Sequence, residues 1–267
     1  MIDAILVVSF GTSHEEAHKL AIRPLVDRVR AQFPEAEVAE AYSSSIIRRV
    51  LAQRGQTILS PLEALEQLKT KGYRHVVIVP THLITGEEHA KVLRDVESMK
   101  LDFESVLCSD PLLSNHTDML RLVEALAQAY PLQDKQALVL MGHGSPTASN
   151  AVYAALDYTF KQQGYSNIFV GANGAYPDIP EVIEQLRKDN YEHIVLAPLL
   201  LVAGEHAKED MAGAHPESWQ QQLQAAGYDV EACIQGLGEM QAVQQIYLSH
   251  VQSVVDNSAA EEEHHHA

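Results

Sequence analysis

The sequence predicts an α/β fold of two similar lobes, each a parallel sheet flanked by helices. Three observations point to it. Apolar, β-branched runs alternate with amphipathic helical stretches along the whole 267-residue chain, the pattern that builds parallel sheets covered on both faces. The segment GYRHVVIVPTHLITGEE (72–88) returns as NYEHIVLAPLLLVAGEH (190–206), so that Tyr73, His75, Pro80, Gly86 and Glu87 fall on Tyr191, His193, Pro198, Gly204 and Glu205 at one constant offset. Finally, AILVVSFGTS (4–13) is echoed by ALVLMGHGSP (137–146), with Gly11 on Gly144. Such self-similarity marks a duplicated scaffold. Within it, two positions disagree: Phe10 stands opposite His143, and Glu88 opposite His206.

The elements follow in order. Residues 3–10 form a first strand ending at Gly11. Thr12 or Ser13 caps a helix with Glu15 and Glu16 in its first turn and Leu20, Ala21, Leu25, Val26 and Val29 at helical spacing. A short strand (36–42) precedes a helix that starts at Ser43–Ser45, and the next helix (61–71) has Pro61 in its first turn and Gly72 just past its end. Strand 75–80, loop 81–86, helix 87–99, strand 103–108 and helix 115–129 complete the first half. The second half repeats the theme: strand 137–142, helix 149–163, strand 167–172, helix 178–189, strand 193–198, helices 205–212 and 216–226, and strand 229–233. The lobes are expected over 1–132 and 133–258, joined near Pro131–Lys135, with a last helix (239–256) available to pack across them. The stretch AAEEEHHHA (259–267) lacks apolar periodicity and reads as a disordered tail.

Composition narrows the function classes. Hydrophobic residues make up 46 % of the chain and charged residues 21 %, enough apolar material for two cores. Apolar runs such as IVLAPLLLVA are too short to span a bilayer, and MIDAILVVSFGTS reads as a strand rather than a signal peptide, so a cytoplasmic location is expected. The net charge of −17, from 19 basic and 36 acidic residues, argues against nucleic acid or an anionic membrane as partner. Two cysteines, Cys108 and Cys233, lack zinc-site or redox spacing and read as small buried hydrophobes. Homo-oligomerisation is compatible with all of this.

Ligands of open α/β sheets bind beyond the carboxyl ends of the strands, which is where the echoed segments end. The cleft between the halves is the expected site. MGHGS (141–145) places His143 between two glycines at a strand end, where a ligand can approach closely. G-H-G-S is not a nucleophile elbow, which argues against a serine hydrolase. AGEHAKEDM (203–211) opens a helix with His206 in its first turn, at the position Glu88 takes in the other half. Two neutral imidazoles and a carboxylate suit a borderline divalent ion such as Co²⁺, Ni²⁺, Fe²⁺ or Zn²⁺. YSSSIIRRV (42–50) offers an anion site at a helix start, with Arg48 and Arg49 following. His75 and His193 read as structural residues of equivalent strands, whereas His14, His18, His89, His116, His215 and His250 read as surface or capping residues. His82 is open to a substrate role or a supporting one.

Taken together, VVSFGTS (7–13), SSSIIRRV (43–50), HLITGEE (82–88), MGHG (141–144) and LLLVAGEHA (199–207) resemble, in order and from residue 4 to about 250, the anaerobic cobalt chelatases of cobalamin biosynthesis, the CbiK type. The resemblance implies the class II chelatase fold and insertion of Co²⁺ into sirohydrochlorin without ATP or a permanently bound cofactor, with Fe²⁺ or Ni²⁺ as other metals for the same ligand set. It implies that His143 is a metal ligand and pyrrole-proton acceptor, that His206 is a second metal-binding imidazole, and that Glu88 assists metal delivery or proton removal. Phe10, Gly11, Thr12, Ser13, Ser45, Ile46, Arg48, Arg49, His82 and Leu83 are implied to line the tetrapyrrole site. One position departs from the pattern: where relatives carry a glutamate before a Tyr-Pro pair, GANGAYP (171–177) has Gly174. Two other readings stay open at this point, a non-catalytic tetrapyrrole or metal carrier and a ferrochelatase acting on a related ring.

Overall fold

The structure, a computed structural model, describes residues 2–265, with side chains described as far as 258. The described residues form two compact units, 2–114 with 244–265, and 115–243.

In the first unit the order is β1 (Ala4–Ser9), α1 (Glu15–Ala17), α2 (Arg23–Gln32), β2 (Glu37–Tyr42), α3 (Ser45–Gln53), α4 (Pro61–Thr70), β3 (His75–Pro80), α5 (Glu87–Met99) and β4 (Ser105–Cys108). A single π-helical turn, His18–Ile22, joins α1 to α2. The four strands are parallel in the order β2-β1-β3-β4. β1 is apolar throughout and buried along its whole length because it lies between two strands and under helices on both faces. The core gathers Leu6, Val8, Leu65, Leu68, Ile78, Val92 and Val96. Ser60 and Glu63 form a reciprocal capping box at the start of α4, with Pro61 at its first position.

The second unit runs α6 (His116–Ala129), β5 (Gln136–Gly142), α7 (Ala151–Gln162), β6 (Ile168–Ala172), α8 (Ile179–Leu186), β7 (His193–Leu199), α9 (Trp219–Ala225) and β8 (Asp229–Ala232). Its strands are again parallel, in the order β6-β5-β7-β8. The duplication read from the sequence is thus a duplication of topology: β1 and β5 occupy the same place, as do β3 and β7. Trp219, Phe169, Val182, Leu186, Leu196 and Leu223 build this core.

This division differs from a cut at 132/133. α6 packs against α7, with Thr159 Oγ1 4.0 Å from Met119 Sδ. The last helix, α10 (Gln241–His265), returns to the first unit. There Tyr247 donates its hydroxyl to Thr81 O (2.9 Å), and Arg28 Nη2 donates to Gln245 Oε1 (2.7 Å). Each unit therefore takes one helix from the other half of the sequence. The stretch 259–265, read as disordered, continues α10, as its Ala and Glu residues are strong helix formers. Residues 266 and 267 lie outside the described residues.

Candidate metal-handling site

The strand order explains why two distant histidines meet. In each sheet the chain leaves the central strand to one side and later crosses to the other, creating a switch point between β1 and β3 and between β5 and β7, where ligand crevices form. Gly142, the last residue of β5, pairs with Leu199, the last of β7. The segments that follow these two strands carry His143 and His206, and their rings stand edge-to-face with centroids 4.7 Å apart.

Hydrogen bonds decide which nitrogens these rings offer. His143 Nδ1 lies 3.2 Å from the carbonyl of Gly144, and a carbonyl only accepts, so Nδ1 carries the proton. His206 Nδ1 lies 2.5 Å from Asp210 Oδ2, and the same reasoning places its proton on Nδ1. Both Nε2 atoms are left as lone-pair donors, the form in which neutral imidazole binds metal. Both side chains are exposed to solvent. His143 follows a strand end packed against the buried Tyr153 ring. A Cβ at Gly142 would come within 2.2 Å of the Tyr153 ring.

Beside this pair runs the loop 172–177. Asn173 N–H donates to Gly142 O (2.9 Å), and its Nδ2 donates to Asp210 Oδ2 (3.3 Å). Gly174 has φ +68°, its amide donates to Asp178 Oδ2 (3.1 Å), and the space a Cβ would take is open. Ser145, Thr147 and Ser149 form a chain of hydroxyls, Ser145 Oγ to Thr147 Oγ1 at 2.9 Å and Thr147 Oγ1 to Ser149 Oγ at 2.7 Å. Among the described residues no three His, Cys, Asp or Glu side chains converge closely enough to hold a metal ion by themselves. The second unit offers two imidazole nitrogens, with other positions left for water or substrate.

The corresponding place in the first unit has different chemistry. Phe10 follows β1 and is 39 % exposed, an apolar surface where the second unit has an imidazole. Gly11 takes φ +100° with Tyr42 against it, matching Gly144 at φ +79°. Glu88 starts α5 and is ion-paired with Lys91. Thr12 is buried and its hydroxyl accepts the His14 amide (3.2 Å), so it shapes the turn. Ser13 O is held by Arg54 Nη1 (2.6 Å). Ser44, rather than Ser45, caps α3 by accepting the Ile47 amide (3.4 Å), leaving Ser45 and Ile46 exposed, Ile46 at 63 %. Arg48 turns back to Glu63 (3.5 Å), whereas Arg49 is exposed with no ion pair among the described residues. Leu83 is half-buried, its carbonyl accepting the Leu113 amide (2.8 Å).

His89 corrects the sequence reading most. His89, expected at the surface, is buried, because residues 89, 92, 96 and 99 form the inward stripe of α5. Its ring stands 6.1 Å from that of His82, and neither His82 Nδ1 nor His89 Nε2 has a hydrogen-bond partner among the described residues. Burial, with a smaller contribution from His89, pulls the His82 imidazole down to about 3, and burial lowers His89 too. Both rings are therefore neutral in the folded protein, while the unfolded chain takes up protons near pH 6.5. Stability is expected to be intact above about pH 6.5 and to fall as pH drops from there towards 3, by at most about 1.4 kcal/mol per pH unit from His82. Urea midpoints measured between pH 7 and 4 check this. The His82→Phe variant should show a shallower slope, and an unchanged slope would remove His82 as the cause.

His75 and His193, expected as structural residues, pair with carboxylates at their strand starts, His75 with Glu104 (3.3 Å) and His193 with Asp229 (2.9 Å). Sequence reasoning missed Asp210, Asn173 and Tyr153. Asp210 alone had a readable signal, one helical turn beyond His206.

A family model described as cobalt chelatase (CbiK) matches residues 3–256. The chain is 37 % identical over 264 residues to the sirohydrochlorin cobaltochelatase of Salmonella typhimurium (strain LT2), covering 98 % of this chain and 99 % of that protein. It is 32 % identical over 255 residues to sirohydrochlorin cobaltochelatase CbiKC of Nitratidesulfovibrio vulgaris (strain Hildenborough), covering 94 % and 90 %. Among solved structures, SirB from Bacillus subtilis with Fe³⁺ is similar at a TM-score of 0.67 and 16 % identity, covering 97 % of this chain and 98 % of that one. CbiX, the terminal enzyme for biosynthesis of siroheme in denitrifying bacteria, is similar at 0.54 and 17 % identity, covering 94 % and 98 %. At these identities the two structures speak to the fold alone.

Proposed function

The chain belongs to the cobalt chelatase (CbiK) family, and from that premise we infer that it inserts Co²⁺ into sirohydrochlorin without ATP, through His143 and His206. The observation that carries the site assignment is the pair of Nδ1-protonated imidazoles, 4.7 Å apart, with both Nε2 lone pairs free.

Metallation exchanges two pyrrole protons for one divalent ion. Two imidazoles can replace part of the hydration shell of Co²⁺ and still release it, because no thiolate or closed set of carboxylates holds it. When the ion passes to the ring, the freed Nε2 lone pair of His143 accepts a pyrrole proton. The same nitrogen thus serves first the metal and then the proton.

Glu88 takes the matching place in the first unit, and we assign it metal delivery or uptake of the other proton. Phe10 and Ile46 supply exposed apolar surface for the macrocycle, and Arg49 a free cation for its carboxylates. Arg48 is assigned a smaller share, since Glu63 already engages it. Fe²⁺ and Ni²⁺ suit the same ligands. The chain works in the cytoplasm in this reading, and no described helix is long and apolar enough to cross a membrane.

The test is turnover. Purified protein with excess sirohydrochlorin and Co²⁺, followed by the absorbance change of the ring, should metallate many equivalents per chain. Stopping after one equivalent would make the protein a carrier. Initial rates with Fe²⁺ and Ni²⁺ order the metals.

A further inference from the structure

We propose that Asp210 is the positioning residue that makes His206 a metal ligand: it fixes the imidazole in the Nδ1–H form, turns Nε2 outward, and brings a negative charge beside the two neutral rings. This rests on the assignment of His206 given above.

Asp210 Oδ2 accepts from two donors, His206 Nδ1 at 2.5 Å and Asn173 Nδ2 at 3.3 Å. Asn173 is itself anchored to the end of β5 through Gly142 O (2.9 Å). The carboxylate thereby ties the π-helical turn Ala207–Met211 to the strand end that presents His143. Without a fixed acceptor at Nδ1, a neutral imidazole moves its proton between its two nitrogens, and the Nε2–H form has no lone pair to offer outward. Carboxylate partners of metal-binding histidines act in this way, also raising the basicity of the ligand.

The loop 172–177 beside the imidazoles carries no carboxylate, so Asp210 supplies the negative charge at one remove, through the His206 ring. An ordinary helical ion pair at this spacing would contribute only weakly to stability, and would leave metal binding alone.

The decisive variant is Asp210→Asn, which keeps size and removes charge. Its side-chain amide can donate to Nδ1 and so select the other tautomer. We expect Co²⁺ affinity, measured by titration calorimetry without tetrapyrrole, to fall by about 10- to 100-fold. The ¹⁵N resonances of His206 should shift from the Nδ1–H pattern towards a mixture, and the KM for Co²⁺ should rise while sirohydrochlorin affinity is unchanged. Asp210→Glu should recover part of the loss, and Asn173→Ala, which touches only the carboxylate, should weaken Co²⁺ by a smaller factor. Wild-type Co²⁺ affinity and an unchanged His206 tautomer in Asp210→Asn would overturn the proposal. His206→Ala separates the two levels. If it is inactive while Asp210→Asn behaves as wild type, only the positioning role falls; if it binds and inserts Co²⁺ normally, the assignment of His206 falls.

Discussion

Replacing His143 with alanine is expected to lower the rate of cobalt insertion by about 10²- to 10⁴-fold, the range for removing a positioned proton acceptor, while the protein stays folded. The fold should survive because the imidazole is exposed and its hydrogen bond, at 3.2 Å, goes to the next residue's own carbonyl. The strand end before it is packed against the buried Tyr153 ring, a contact that does not depend on the imidazole. Thermal melting within a few degrees of wild type, together with lost turnover in the sirohydrochlorin assay, is the expected pair of results. Rates near wild type would remove His143 from the mechanism. His143→Ala and His206→Ala should also fail to add, because each leaves a single imidazole that neither desolvates nor hands over the ion as the pair does.

The scaffold was legible because duplication and strand–helix alternation are written into the order of apolar residues. Strand His75–Pro80 and helix Glu87–Met99 begin and end where the periodicity and Gly86 place them. The convergence read from the repeats was of Glu88 and His206 with His143 nearby; the structure brings His143 and His206 together within the second unit. Side-chain pairing across elements was not legible. Nothing in the order of residues says that Arg48 turns to Glu63, or that Asn173 reaches Asp210, because both depend on how helices and loops rest on the sheet. His89 was readable and was misread: its polarity suggested the surface, whereas its spacing with Val92, Val96 and Met99 put it inside. The helix exchange between units was legible only in part: the last helix was read as available to pack across the lobes, whereas the transfer of α6 was not foreseen. An amphipathic helix at either end of a half-chain shows that it needs a sheet to cover, but not which of two equivalent sheets it covers.

Gly144→Ala is expected to damage both stability and turnover, and a control can separate the two effects. Gly144 takes φ +79°, where an L-residue is strained, and its Cβ would sit 2.6 Å from Asn173 O and 3.0 Å from Ala175 Cβ. Backbone strain of this kind costs about 1–3 kcal/mol, which denaturant unfolding would register. The clash matters more for chemistry, since relief requires moving Gly144, and with it His143, or the Asn173 backbone. Asn173 holds Asp210, and Asp210 holds His206, so either adjustment displaces an imidazole. Misplacing a reacting group by about 1 Å can cost on the order of 10²-fold in rate. Gly164, also left-handed at φ +88° but with nothing within 4 Å of its Cβ position, is the control. Gly164→Ala should lose stability through strain alone and keep the wild-type rate of insertion at a temperature where both variants are folded. If the two variants lose rate equally, the loss comes from general destabilisation, and the tight approach of Gly144 to the 172–177 loop has no part in positioning the imidazoles.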